Sequence, residues 1–173
     1  MSINHLGDWG TQFGKMIAAY KRWGDEETVR KGGVDEMVKL YVRFNTEAKD
    51  NPALEDEGRA WFKKIEDGDE EALKIFSWFK EVTLKDAERV YDMLGVKFDS
   101  YAGESFYIDK MQPVLDELKE KGLLVEDQGA QIVKLDEYGM PPAMFLRSDG
   151  ATLYMTRDLA AVKYRHDTYD FAK

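Results

Sequence analysis

Tyr154 and Asp158 stand four residues apart in the stretch DGATLYMTRDLAAVKYRHDTY, residues 149–169. Tyr154 is expected to end an extended run, and Asp158 to fall in the first turn of the helix that follows. At that spacing both side chains reach one pocket. An ionised Asp only accepts hydrogen bonds, and a guanidinium presents parallel donors to it, so the chemistry suited to Asp158 is guanidinium recognition. Asp158 has a simpler use as well. A first-turn acid complements the helix dipole, worth about 0.3–1 kcal/mol, and Arg157 offers it a local partner.

A second polar stretch, INHLGDWGTQFGK, occupies residues 3–15. Gly7 and Gly10 permit close backbone approach or positive φ. Asp8 and Gln12 offer acceptors, and Trp9 a flat apolar wall. Asn4 and His5 lie just ahead of them. A helix starting near Thr11 aims its free N–H groups at the same spot, which favours an anionic or polarised ligand. The competing reading is a capped turn with a buried Trp, and a lone His5 is more often structural than chemical.

Other chemistries find no support in the sequence. There are no cysteines among the 173 residues, which removes thiolate nucleophiles, disulfides and Cys-based zinc sites. The two histidines, His5 and His166, do not make a multi-His metal set. No GxGxxG, P-loop or GxSxG pattern occurs. Glu70 with Glu71, and Asp67 with Asp69, sit at a helix boundary where acids are common. The net charge of −9 makes the chain a poor general binder of nucleic acid. No stretch approaches the roughly 20 apolar residues of a membrane span, and no basic region followed by an apolar run opens the chain.

These residues need elements to hold them. A short extended piece over residues 2–6 leads through a Gly-broken turn into a helix capped by Thr11 and closed by Gly24. The loop between them would lie on the rim of a sheet, where α/β folds bind ligands. Residues 25–95 read as helical. Val34, Val38, Tyr41, Val42 and Ala48 form one apolar stripe, Asn51 and Pro52 start a second helix, and Asp69 caps a long one ended by Gly95. Residues 96–99 alternate like a strand, and a helix follows over 108–121. Residues 129–135 and 143–147 read as two strands, Asp149 with Gly150 as a tight turn, and 156–169 as the last helix. About three short segments could join a main sheet, few for a complete doubly wound domain.

Three blocks in order carry a family resemblance. NHLGDWGTQFG at 4–14, LGVKFDSYAGESFY at 94–107 and DGATLYMTRDLAA at 149–161 resemble successive conserved segments of arginyl-tRNA synthetase, a class I aminoacyl-tRNA synthetase. The resemblance implies a helix-rich α/β fold: part of a Rossmann-like nucleotide-binding domain, with a helical block and a small β-hairpin connective insertion over about 122–147. It implies one catalytic domain in pieces: strand–loop–helix over 1–24, helical block over 25–95, strand and helix over 96–121, insertion, then the start of the second half over 148–173. The HIGH motif would lie upstream of Asn4 and the KMSKS loop downstream, so an internal piece of the parent ligase is expected, without turnover alone. The implied reaction activates arginine with ATP and Mg2+, and transfers the arginyl group to tRNA(Arg). No ATP is expected on the isolated piece, and no editing activity. Tyr154 and Asp158 match the positions that hold the arginine side chain; Asn4, His5, Gly7, Asp8, Trp9 and Gln12 would line or support the cleft. The implied compartment is the cytoplasm. A non-catalytic helical interaction or regulatory module derived from a synthetase is the alternative reading.

Overall fold

The computed structural model describes residues 1–148 and 150–169. The chain divides into two compact units. One comprises residues 1–2 and 8–99, the other residues 3–7 and 100–173.

The first unit is built from four helices: α1 (Thr11–Trp23), α2 (Glu26–Glu47), α3 (Ala53–Glu66) and α4 (Glu70–Leu94). α1 is the central element, packing on α3, α2 and α4. Its Ile17, Ala18 and Ala19 are fully buried. Small residues explain how closely α1 approaches α3. A Cβ added at Gly14 would stand 2.0 Å from the backbone oxygen of Gly58, so this crossing admits no side chain. Phe44, Leu54, Ile65, Phe76 and Phe79 complete the core.

Several local expectations need correction. Thr11 does not cap α1; Gly10 occupies that position with φ 152° and no side-chain cap. α3 starts one residue late, with Pro52 at the cap position in place of Asn51. On α2 the apolar stripe has a different phase. Met37, Leu40, Phe44 and Ala48 face the core, whereas Val38 and Val42 are 51% and 57% exposed. Two apolar stripes compete on this helix, and the one with the larger side chains removes more area from water. Asp69 caps α4 as expected, accepting from the Ala72 N–H at 2.9 Å. Only the first half of α4 is buried, and Met93 and Leu94 near its end are exposed.

In the second unit, residues 3–7 run beside residues 100–104. Ile3 and Ser100 form a parallel bridge. The Asn4 N–H donates to Ser100 O at 2.9 Å, and the Glu104 N–H donates to Leu6 O at 2.9 Å. Residues 96–99, which belong to the first unit and were expected as a strand, form none, although the Asp99 N–H donates to Ser2 O at 2.9 Å. The helix expected over 108–121 begins earlier, as a 3-10 helix over Glu104–Lys110, and continues as α5 (Met111–Glu120).

The expected hairpin is a three-stranded antiparallel meander of β1 (Leu124–Asp127), β2 (Ala130–Val133) and β3 (Ala143–Leu146). The overlooked β1 joins β2 through Gln128 and Gly129, both at positive φ, 50° and 81°. That geometry matches the right-handed strand twist. The Asp149 half of the expected tight turn lies outside the described residues; at its other half the Gly150 N–H donates to Arg147 O.

The last helix, α6 (Tyr154–Tyr169), starts two residues before the expected position. Its buried Ala160 and Ala161 pack with Tyr107, Met111 and Val114. The Thr156 hydroxyl, fully buried, donates to Phe145 O at 2.6 Å and ties α6 to β3.

Candidate functional site

α6 carries both residues expected to hold a guanidinium. Tyr154 is its first residue, so Tyr154 and Asp158 share one helical face directly, four residues apart. Asp158 lies in the second turn, not the first, because the helix begins early. This weakens its use as a partner of the helix dipole, which fades beyond the first turn. The local alternative is also unused, since Arg157 pairs with Glu104 at 3.3 Å.

Both candidate residues are open to solvent. Tyr154 is 61% exposed, and the Asp158 side chain 52%. The partner recorded for the Asp158 carboxylate is His5, whose Nε2 lies 3.7 Å from Oδ1. That separation is too long for a hydrogen bond. Asp158 is thus an exposed carboxylate with acceptor capacity to spare, held on a rigid helix.

The second polar stretch divides. Asn4, His5 and Gly7 belong to the second unit, and Asp8, Trp9 and Gln12 to the first. In the second unit the Asn4 and Glu104 backbone bonds pin the chain on either side of His5. The imidazole tilts against the Tyr107 ring with centroids 5.7 Å apart. Its Nδ1 lies 2.8 Å from Nη2 of Arg165. The Tyr107 oxygen accepts from Arg165 Nε at 3.2 Å, and Tyr107 is fully buried. Nothing lies within 4 Å of a Cβ placed on Gly7, so packing within the chain does not require a glycine there.

In the first unit, Asp8 is 5% exposed and pairs with Lys80 at 2.5 Å. Trp9 packs edge-on against Phe62 and Phe76, at 5.3 and 5.9 Å. Gln12 is exposed, its amide 3.5 Å from Trp9 O. Here Asp8 and Trp9 already have internal partners, although no side chain caps the helix that follows and Trp9 is only partly buried. Asp69 is likewise structural, and Glu71 pairs with Lys21 at 2.7 Å.

Sequence reasoning missed Arg165, Tyr107 and Glu104. For Arg165 a signal existed. It lies seven residues beyond Asp158, two turns along the same helical face. Tyr107 and Glu104 reach the site only through the pairing of residues 3–7 with 100–104, which no local pattern announces. A cleft of about 490 Å³ lined by Arg30, Gly33, Trp78, Lys85 and Arg89 contains none of the candidate residues. Arg30 and Lys31 there are already paired with Glu26 and Glu27.

Among the described residues no three His, Cys, Asp or Glu side chains are grouped to hold a metal ion. No helix among them is long and apolar enough to cross a membrane.

Comparison with known proteins is consistent along the chain. The family model described as "tRNA synthetases class I (R), catalytic domain" matches residues 1–173. An arginine–tRNA ligase of Clostridium perfringens is 58% identical over 171 residues, covering 99% of this chain and 30% of the relative. One from Exiguobacterium sibiricum is 62% identical over 171 residues, again spanning 30% of that protein. The crystal structure of arginyl-tRNA synthetase from Plasmodium falciparum superposes with a TM-score of 0.77 at 28% identity, covering 95% of this chain and 27% of that one. The chain therefore spans about 30% of the length of the curated relatives it matches.

Proposed function

The chain belongs to the catalytic-domain family of class I arginyl-tRNA synthetases, and on that premise we propose that it serves arginine recognition within an arginine–tRNA ligase. The reaction is condensation of arginine with ATP to arginyl-adenylate and pyrophosphate, followed by transfer of the arginyl group to the 3′ end of tRNA(Arg). This segment contributes the side-chain pocket. Asp158 accepts from the substrate guanidinium, and Tyr154, one turn back on the same face, borders it.

The exposed Asp158 carboxylate, which among the described residues accepts no hydrogen bond, is the observation that supports this reading most. A guanidinium brings parallel N–H groups in the plane a carboxylate accepts. A site built to be completed by hydrogen bonds rejects ligands that leave it unpaired, which is how such a pocket discriminates. His5 faces Asp158, and Asn4 anchors the backbone beside it. Asp8 and Trp9 support the following turn from within the first unit, while Gln12 and Gly7 remain open toward solvent.

The domain organisation follows the same reading. Residues 1–24 and 148–173 belong to the two halves of a Rossmann-like domain, 25–95 to a helical block, 96–121 to a strand position and helix, and the meander within 122–147 to the connective insertion. ATP and tRNA(Arg) are partners of the whole ligase, which works in the cytoplasm. Mg2+ that accompanies ATP is held largely by phosphate oxygens and water, with one or two carboxylates, and it too is a partner of the whole ligase. The HIGH and KMSKS motifs are not among these 173 residues, and residues 1–173 alone are expected not to turn over. A non-catalytic helical module is not favoured, because the catalytic-domain match runs the length of the chain.

The test is kinetic. In the complete ligase carrying this segment, Asp158→Ala is expected to lower kcat/KM for arginine at least about a hundredfold, as loss of a charge-assisted bidentate contact implies. Near-wild-type arginine kinetics in tRNA aminoacylation would overturn the assignment.

A further inference from the structure

Arg165 has no part in the arginine recognition proposed for Asp158, yet one ring contact and two polar contacts tie it to the candidate pocket. Its guanidinium lies over the Tyr107 ring, 5.6 Å from the centroid. Its Nε donates to the buried Tyr107 oxygen at 3.2 Å. Its Nη2 lies 2.8 Å from His5 Nδ1.

The chemistry of the last contact fixes a proton. Arginine carries only donors and is not deprotonated in proteins. At 2.8 Å, His5 Nδ1 must therefore accept. A neutral imidazole that accepts at Nδ1 carries its hydrogen on Nε2. That Nε2 is the atom 3.7 Å from Asp158 Oδ1. The ring N–H thus faces the carboxylate.

We propose that Arg165 is a positioning residue for arginine recognition: it holds His5 in the Nε2–H tautomer, and His5 in turn orients the Asp158 carboxylate toward the incoming guanidinium. This rests on the reading of Asp158 as the guanidinium acceptor. The frame is rigid where it needs to be. Tyr107 is fully buried beneath Arg165, and the bonds from Asn4 to Ser100 and from Glu104 to Leu6 hold the backbone on both sides of His5. Arg165 and Asp158 lie on one helix, two turns apart, so His5 bridges fixed points. Asp158 itself is half exposed, and among the described residues no donor reaches its carboxylate at hydrogen-bond distance. The imidazole N–H, a dipole 3.7 Å from Oδ1, biases that carboxylate electrostatically; without it the group would rotate freely about χ2, a torsion with broad preferences. A bidentate ligand then pays the cost of ordering it.

The experiment uses the complete ligase carrying this segment, with steady-state kinetics for arginine and for ATP. Arg165→Met is expected to raise the KM for arginine about tenfold, the scale of one lost hydrogen-bonded orientation, with a much smaller change in kcat. Arg165→Lys keeps a donor for Nδ1 and stays within about threefold. His5 supplies a pair that does not depend on Arg165. His5→Gln can place an amide N–H near the Nε2 position and retains arginine affinity; His5→Asn cannot reach and behaves like Arg165→Met. Long-range proton–nitrogen NMR of the imidazole reads the tautomer directly: Nε2–H alone in the wild type, a mixture in Arg165→Met. A merely structural role would lower thermal stability equally in both His5 variants and leave the arginine KM alone. An unchanged arginine KM in Arg165→Met, or equal defects in His5→Gln and His5→Asn, would overturn the proposal. If Asp158→Ala is still defective in those experiments, the Asp158 reading survives; if Asp158→Ala has wild-type kinetics, that reading fails first.

Discussion

Asp8, in a glycine-flanked turn, and Asp158, in the second turn of α6, are both candidate acids, and the structure separates their tasks. Asp8 is buried against Lys80, so its charge is already used. Asp8→Ala is expected to destabilise the first unit by about 1–2 kcal/mol, the loss of a charge-assisted bond made by a buried carboxylate to the half-buried Lys80 ammonium, as chemical denaturation would measure. Asp158 is exposed beside one imidazole, and its removal should act on arginine use rather than on stability. The sequence distinguishes these two only in part. That Tyr154 and Asp158 share one side was legible from their spacing of four, although Tyr154 was expected to end an extended run and instead opens α6. The partner of Asp8 lies 72 residues away on α4, and no local pattern names it. His5 was legible as a polar residue near the turn, but its contact with Arg165 spans 160 positions.

At the scale of elements, close packing and charge each give a measurable consequence. α1 crosses α3 at Gly14 and Gly58, where a Cβ would collide with backbone. Gly14→Ala is expected to cost about 2–3 kcal/mol by overpacking. Gly7→Ala, where a Cβ meets nothing within 4 Å, should stay within about 0.5 kcal/mol. Urea unfolding of the two variants separates a packing glycine from an unconstrained one. In the second unit, Glu117 on α5 accepts from Lys121 and from Lys163 of α6, each at 2.6 Å. Those two ammonium groups pull its carboxyl down to about 2. A depressed carboxyl pKa contributes stability above the unfolded value near 4.5, and that contribution is lost as pH falls toward 2. Acid titration followed by circular dichroism should therefore show a loss between about pH 4.5 and 2 that Glu117→Gln reduces, with Asp25 and Asp109, also held low, accounting for part of the remainder. Helices with marked starts and stops were readable in the sequence: Asp69, Gly24, Gly95 and Gly122 all stand where elements begin or end. Val38 and Val42 misled because apolar spacing alone does not say which of two stripes faces inward. β1 was overlooked because only two of its four residues, Leu124 and Val125, are apolar.

For the whole molecule, the family match covers every residue while the relatives are about three times longer. Three sequence blocks, near residues 4, 94 and 149, carried the family resemblance across a chain whose fold is otherwise mostly helices. The net charge of −9 makes the segment a poor general binder of a phosphate backbone. The proposed contribution is a carboxylate on a fixed helix, and the most direct test is binding. Calorimetry of arginine with the complete ligase carrying this segment, wild type and Asp158→Ala, with lysine and citrulline as controls, isolates that contribution. The wild type is expected to bind arginine and neither control, and Asp158→Ala to lose arginine binding. Equal arginine affinity in the two proteins would contradict the proposed role of Asp158.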